Sequence, residues 1–67
     1  MPPKIRELKR LLHDAGFTER KGKGSHTNWK HPAVADKVTV AGKNGADAQK
    51  YQERQVEAAI LLSKVKP

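Results

Sequence analysis

The chain has 67 residues, fewer than most domains, so we expect one domain over residues 1–67 and exclude the large enzyme folds. Fourteen Lys and Arg against seven Asp and Glu give a formal charge of +7, which makes polyanions the first partners to consider. The chain has no cysteine, which excludes disulfides and thiolate metal sites.

The first predicted element is an amphipathic helix over residues 3–15. Basic residues fill most positions between its apolar residues, which recur at steps of three and four: Ile5, Leu8, Leu12 and Ala15. Pro3 is typical of a first helical turn, and Gly16 of the position just after a helix. The sequence therefore predicts that one side of this helix is buried.

Three short strands are predicted after this helix. They cover residues 17–21, 25–30 and 37–41. The glycine-rich segment 22–24 joins the first two. Because Pro32 cannot donate to a sheet ladder, the second strand should end before it, and residues 33–36 should form a turn.

A turn at residues 42–45 and a second helix over residues 46–67 complete the chain, since residues of high helix propensity dominate the last segment. This helix carries two apolar sets on different sides. One set is Tyr51, Ala58, Leu62 and Val65, flanked by Leu61, and the other is Val56, Ala59 and Ile60. One set is enough to cover the sheet. The other packs against the first helix or forms an exposed strip for a partner or a second copy.

This order predicts a two-layer α+β fold, α-β-β-β-α. Short links make the three-stranded sheet antiparallel, and both helices must cover the one apolar face that it offers. In the third strand, Val38 and Val40 should point to the helices, and Lys37 and Thr39 away from them.

The second strand should present polar side chains on the open face of the sheet. Trp29, the only tryptophan, should point to the helices, and Ser25 and Thr27 then point the same way. The residues between them point to solvent, namely His26, Asn28 and Lys30. The preceding turn is basic, and its glycines allow a close approach of the backbone. This combination favours phosphodiester chemistry on RNA, while an incidental histidine beside a solvated turn is the plainer alternative.

Residues 22–32, Gly-Lys-Gly-Ser-His-Thr-Asn-Trp-Lys-His-Pro, resemble the Gly-Ser-His strand of the HicA (YcfA-like) toxins, small ribonucleases of HicAB toxin–antitoxin systems. The resemblance spans roughly residues 4–62, including Ala15-Gly16-Phe17 and Val38-Thr39-Val40. Most members have a Pro-x-His element after the third strand, where this chain has Ala41-Gly42-Lys43.

The resemblance implies a fold like that of double-stranded-RNA-binding domains, cleavage of messenger RNA, and neutralisation by a HicB antitoxin. By the same resemblance, His26 is the catalytic residue. The chemistry agrees, because an imidazole near neutral pH can accept the proton of a ribose 2′-hydroxyl or give one to the departing 5′-oxygen. No partner acid or base is evident, since His31 should lie on the opposite face and His13 lies in the first helix.

Lysines and backbone amides around this histidine are the candidate RNA-binding groups. Cationic side chains could stabilise charge on the transition state, and amides in a glycine turn could hold a phosphate oxygen. The candidate RNA-binding residues are Lys21, Lys23, Gly24, Ser25, Asn28 and Lys30.

Neither a metal site nor a nucleophilic triad is expected. The histidines lack metal-binding spacing, and Asp14, Asp36 and Asp47 stand far apart in sequence, so we expect no metal and no other cofactor. Ser25 adjoins His26, and neighbours in a strand point to opposite faces.

A non-catalytic double-stranded-RNA-binding module is the main alternative, because the element order and the charge also fit it. Against it, the start of the last helix carries only Lys50 and Arg54, interrupted by Glu53, where a basic row would be expected. A DNA-binding domain fits less well, since neither helix has a basic face ending in base-reading Asn or Gln.

The expected location is the cytoplasm, without membrane contact. No apolar run approaches the length of a membrane span. The N-terminal Met-Pro-Pro-Lys also lacks the apolar stretch of a signal peptide.

Overall fold

Two helices and three strands make up the part of the chain that the structure, a computed structural model, describes, residues 2–64. They are α1 (Ile5–Asp14), β1 (Thr18–Lys21), β2 (Thr27–His31), β3 (Val34–Val40) and α2 (Lys50–Lys64). The predicted order α-β-β-β-α is confirmed. Val65, assigned above to one apolar set, and the predicted helix end at Pro67 lie outside the described residues.

The strands form one antiparallel sheet in the order β1-β2-β3, so the central strand is β2. Trp29 pairs with Glu19 on one side and Val38 on the other, which places these three side chains on one face. Val38 and Val40 are buried while Lys37 and Thr39 are exposed, as the alternation predicts.

Both helices cover the same face of the sheet. Their buried side chains and those of the sheet join in one cluster: Ile5, Leu8 and Leu12 of α1, Val56 and Ala59 of α2, and Phe17, Trp29, Val38 and Val40, together with Ala48. The apolar sides of both helices therefore pack against the one apolar face of the sheet, which is the predicted two-layer arrangement.

The third strand is longer than predicted. β3 begins at Val34, which pairs with His31, so only Pro32 and Ala33 form the turn. The predicted turn over residues 33–36 is therefore wrong. Pro32 lies in the turn itself, where its missing N–H costs no ladder bond, and the His31 Nδ1 accepts the Ala33 N–H at 2.9 Å.

The last helix begins later than predicted, at Lys50 instead of residue 46. The residues before it pair with the start of the chain: the Ala48 N–H donates to the Pro3 carbonyl at 2.8 Å, and Lys4 pairs with Asp47. These bonds require extended backbone, so this long-range pairing outweighs the helix propensity of the segment.

The two apolar sets of α2 have different environments. Val56 and Ala59 are buried and Ile60 is half-buried against the core. The other set is exposed and is called here the α2 strip: Tyr51, Ala58, Leu61 and Leu62. The set with Val56 therefore packs against both the sheet and α1, whereas the α2 strip remains on the surface.

Within residues 2–64, neither helix has the length and apolar character needed to cross a membrane.

Candidate active site

His26 stands at the end of a tight turn between β1 and β2. The Gly22 N–H donates to the His26 carbonyl at 2.9 Å, and the His26 N–H donates to the Lys23 carbonyl at 3.0 Å. Gly24 has a φ of +59°, in the left-handed region where glycine is the least strained residue. The backbone of His26 is therefore held at both its polar groups, while the side chain is exposed.

A side chain at position 22 would crowd His26. A Cβ at position 22 would lie 3.1 Å from the His26 carbonyl oxygen and 3.3 Å from the His26 Cβ. It would also lie 3.3 Å from the amide nitrogen of Asn28. The glycine in this motif thus permits the close crossing of backbone that positions the histidine.

The residue after His26 is held in the core. Thr27 is buried, and its Oγ1 accepts a hydrogen bond from the Trp29 indole Nε1–H at 3.0 Å. The same hydroxyl donates to the Val40 carbonyl at 3.4 Å. The tryptophan therefore contributes apolar area and also a polar contact that holds the first residue of β2.

His26 lines an open hollow of about 400 Å³, called here the His26 hollow. Three lysines line it from three different elements: Lys9 from α1, Lys21 from β1 and Lys43 from the loop between β3 and α2. Its other polar side chains are those of Glu19, Ser25, Thr27 and Asn44. Among the described residues, those that line the hollow thus include one histidine, three lysines and one glutamate.

The lysine charges in the hollow are not neutralised by ion pairs. Within residues 2–64, the salt bridges join Lys4 to Asp47 and His13 to Asp14. Lys9 instead donates from its Nζ to the neutral side-chain oxygen of Asn44, at 2.7 Å. The hollow therefore carries excess positive charge, which attracts anionic ligands.

The predicted site residues lie around the His26 hollow and on the adjoining open face of the sheet. Lys21, Gly24, Ser25 and His26 line the His26 hollow, with Lys23 exposed in the adjoining turn. Asn28 lies on the open face of the sheet, where its Oδ1 accepts the Thr39 hydroxyl at 2.8 Å. Lys30 lines a second hollow with Arg20 and His31.

His26 and Asn28 lie close together on the side of the sheet that position 22 faces. A Cβ at position 22 would lie 3.3 Å from both the His26 Cβ and the Asn28 amide nitrogen. Although β2 begins only at Thr27, the bond from the Gly22 N–H to the His26 carbonyl extends the pairing of β1 and β2 by one residue pair, so strand alternation reaches His26.

Lys9 and Lys43 are the lining cations that reasoning from the sequence missed. Both lie outside the Gly-Ser-His motif, one on the polar side of a helix and the other in a turn. The only signal for them in the sequence was the overall positive charge. Their approach to His26 follows from the packing of α1 beside the loop after β3.

The other two histidines are separate from this hollow. His31 is half-buried, with its ring centroid 5.0 Å from that of Phe17 and its Nδ1 bonded to the Ala33 N–H. His13 is exposed on α1, 3.7 Å from Asp14. Across residues 2–64, no three side chains of the metal-binding types lie close enough together to hold an ion.

Comparison with known families matches residues 5–62 to the family described as HicA toxin of bacterial toxin-antitoxin. The chain belongs to the HicA toxin family. The matched region includes both helices and all three strands up to residue 62, so the toxin role applies to nearly the whole chain. No curated protein and no solved structure matches it.

The segment after β3 borders the hollow. It reads Ala41-Gly42-Lys43, and Gly42 and Lys43 line the His26 hollow. This segment therefore contributes a cation to the hollow.

Proposed function

We propose that this toxin is an endoribonuclease that cleaves messenger RNA, with His26 as the catalytic residue and without a metal ion. The observation that carries the proposal is that the exposed His26 borders a hollow that three lysines also line. An imidazole exchanges protons near neutral pH, and the lysines attract the phosphates of RNA.

The reaction is an internal transfer at phosphorus. The ribose 2′-hydroxyl loses its proton, its oxygen bonds to the adjacent phosphorus, and the bond from phosphorus to the 5′-oxygen breaks as that oxygen takes up a proton. His26 serves one of the two proton transfers, each worth about 10²- to 10⁴-fold in rate. Cations beside the phosphate stabilise the extra negative charge of the transition state.

The remaining predicted residues have binding roles in this proposal. Lys21, Gly24 and Ser25 contact RNA next to the scissile phosphate, because they share the hollow with His26. Lys23 lies in the adjoining turn and binds a neighbouring phosphate. Asn28 and Lys30, which do not line the hollow, bind adjoining parts of the RNA from the open face of the sheet.

The alternative of a non-catalytic double-stranded-RNA-binding module finds less support. Lys50 and Arg54, the cations at the start of α2, share a surface depression with Glu53 and Glu57. The two carboxylates offset the two cations, so this surface lacks the excess charge that gripping a duplex backbone needs.

A HicB-type antitoxin is the proposed protein partner. A surface with excess positive charge is best covered by an acidic one, and the α2 strip offers exposed apolar contact area on the same small domain. Blocking the His26 hollow would then keep RNA from the histidine.

The test is cleavage of single-stranded RNA by the purified toxin in EDTA. The native chain should produce fragments, and His26→Ala should lower the rate by about 10²-fold or more. His13→Ala is the matched control, because it removes an exposed histidine outside the hollow and should leave the rate unchanged.

Circular dichroism and thermal melting of each variant verify that the fold is intact. Cleavage retained by His26→Ala, or cleavage that stops in EDTA, would contradict the proposal. RNA binding by the native chain without fragments would favour the binding module instead. Growth arrest on induction, present for the native chain and lost for His26→Ala, extends the same test to cells.

A further inference from the structure

We infer that α1 and the loop between β3 and α2 form a phosphate-binding subsite beside His26, built from Lys9, Lys43 and Asn44. Its ligand is a backbone phosphate of single-stranded RNA next to the one that is cleaved. The identity of this ligand rests on the proposed function. None of the three residues belongs to the Gly-Ser-His motif, so the motif alone does not include this subsite.

The loop that carries Lys43 and Asn44 is bonded to the first turn of α1. The Ile5 N–H donates to the Ala46 carbonyl at 2.9 Å, and the Arg6 N–H donates to the Asn44 carbonyl at 3.1 Å. Both donors belong to the start of a helix, where N–H groups have no partner within the helix. The loop supplies those partners, so the position of α1 determines its position.

A glycine brings this loop close to the helix. Gly42 has a φ of +123°, and a Cβ there would lie 3.3 Å from the Ile5 side chain. Inside the loop, the Ala46 N–H donates to the Lys43 carbonyl at 2.9 Å. The backbone on both sides of Lys43 is therefore held, which lowers the entropy lost when its side chain binds a phosphate.

Lys9 is held in position by a hydrogen bond that does not offset its positive charge. Its Nζ donates to the Asn44 Oδ1 at 2.7 Å, and this acceptor is neutral. Lys4, on the same side of the fold, donates instead to the Asp47 carboxylate at 2.6 Å and is offset by it. An ammonium has three donors, so Lys9 keeps two for a ligand while the amide orients it.

The charges around the hollow favour a phosphate over other ligands. Lys9, Lys21 and Lys43 contribute three positive charges, and among residues 2–64 Glu19 is the one carboxylate that lines the hollow. An RNA strand that enters with one phosphate at His26 therefore meets cations from α1 and the loop at the same time. The subsite would hold the strand while His26 acts on it.

The test measures RNA binding in an inactive toxin, so that it does not depend on cleavage. All variants carry His26→Ala, and the probe is a fluorescently labelled single-stranded RNA titrated at several KCl concentrations. Lys9→Gln and Lys43→Gln should each lower the slope of log affinity against log salt by about 0.7. The corresponding loss of affinity at 0.1 M salt is about fivefold.

Lys50→Gln is the matched control, because it removes the same charge from α2 outside the hollow. It should change the slope and the affinity much less. Asn44→Asp should weaken binding about as much as Lys9→Gln, since a carboxylate would offset the ammonium that the amide only orients. Glu19→Gln should tighten binding by removing the one carboxylate of the hollow. Circular dichroism verifies folding in each case.

The subsite is disproved if both lysine variants match Lys50→Gln in slope and affinity. Failure of the subsite and failure of the proposed function give different results. If the native toxin cleaves RNA through His26 while the lysine variants match the control, only the subsite is wrong. If the lysine variants weaken binding as expected but the native toxin does not cleave RNA, the subsite stands and the assignment of catalysis is wrong.

Discussion

At the scale of single residues, the position of the His26 imidazole depends on a glycine that takes no part in proton transfer. Gly22 lies so close to His26 that an added Cβ would press on its carbonyl oxygen and its Cβ. The same glycine donates one of the two hydrogen bonds that close the turn. Position 22 therefore controls where the imidazole stands, while His26 supplies the proton transfer in the proposed reaction.

We predict that Gly22→Ala lowers RNA cleavage about tenfold or more, because small displacements of a catalytic group carry large rate penalties. Gly45→Ala is the matched control, since an added Cβ there meets nothing within 4 Å. Initial rates on single-stranded RNA, at equal folded fraction, make the comparison. Equal rates for the two variants would mean that the turn tolerates the methyl group and that Gly22 does not control the position of His26.

The sequence predicted an exposed His26, and the side chain is exposed. Strand alternation agrees with this orientation, because the bond from the Gly22 N–H to the His26 carbonyl extends the pairing of β1 and β2 by one residue pair. An added Cβ at position 22 would lie 3.3 Å from both the His26 Cβ and the Asn28 amide nitrogen, so the two side chains are neighbours.

At the scale of elements, the start of β2 is stabilised by a buried polar contact. The Trp29 indole donates to the Thr27 hydroxyl, and both residues are buried beneath the helices. A buried hydrogen-bond donor without a partner destabilises the folded state, so the Thr27 hydroxyl contributes more to stability than its small size indicates.

We predict that Thr27→Val destabilises the fold by about 1–3 kcal/mol, because valine has a similar shape but leaves the Trp29 Nε1–H without its acceptor. Thr39→Val makes the same chemical change on the exposed face, where it removes only the bond to Asn28, and should cost about 0.5 kcal/mol or less. Urea denaturation followed by tryptophan fluorescence gives both values. Equal destabilisation in the two variants would argue against a special role for the buried hydroxyl.

Patterns in the sequence predicted which helices and strands form more accurately than the residues at which each one begins and ends. The steps of three and four in α1, and the alternation of Val38 and Val40, identified buried sides correctly. The start of α2 was misplaced because residues 46–48 pair with Pro3 and Lys4, far away in the chain. A local propensity carries no information about such a partner.

At the scale of the whole molecule, the excess charge and the α2 strip are both features that a partner can recognise. The formal charge of +7 includes the three lysines of the His26 hollow. Tyr51 and Leu62 are each 55% exposed and Leu61 is 67% exposed. It is unusual for a domain with so little apolar material to leave this much apolar surface in contact with water. An acidic partner with an apolar patch would match both features.

We predict that Leu62→Ser weakens binding of the antitoxin by about tenfold, since it removes an apolar contact. Leu11→Ser is the matched control, because Leu11 is 44% exposed on α1 and lies outside the strip. Calorimetric titration of the encoded antitoxin into His26→Ala toxin measures both affinities. Unchanged binding by Leu62→Ser would remove the strip from the interface, and a basic antitoxin would contradict the proposed charge match.

The sequence by itself determined the element order, the buried side of α1, the inward valines of β3 and the family, because each depends on a local pattern or a contiguous motif. The tertiary structure decided which apolar set of α2 is buried and which residues surround His26. Lys9 and Asn44 are 35 residues apart and meet only because the loop after β3 hydrogen-bonds to the first turn of α1. Periodicity describes which side of an element is apolar, whereas the composition of a hollow depends on how separate elements pack.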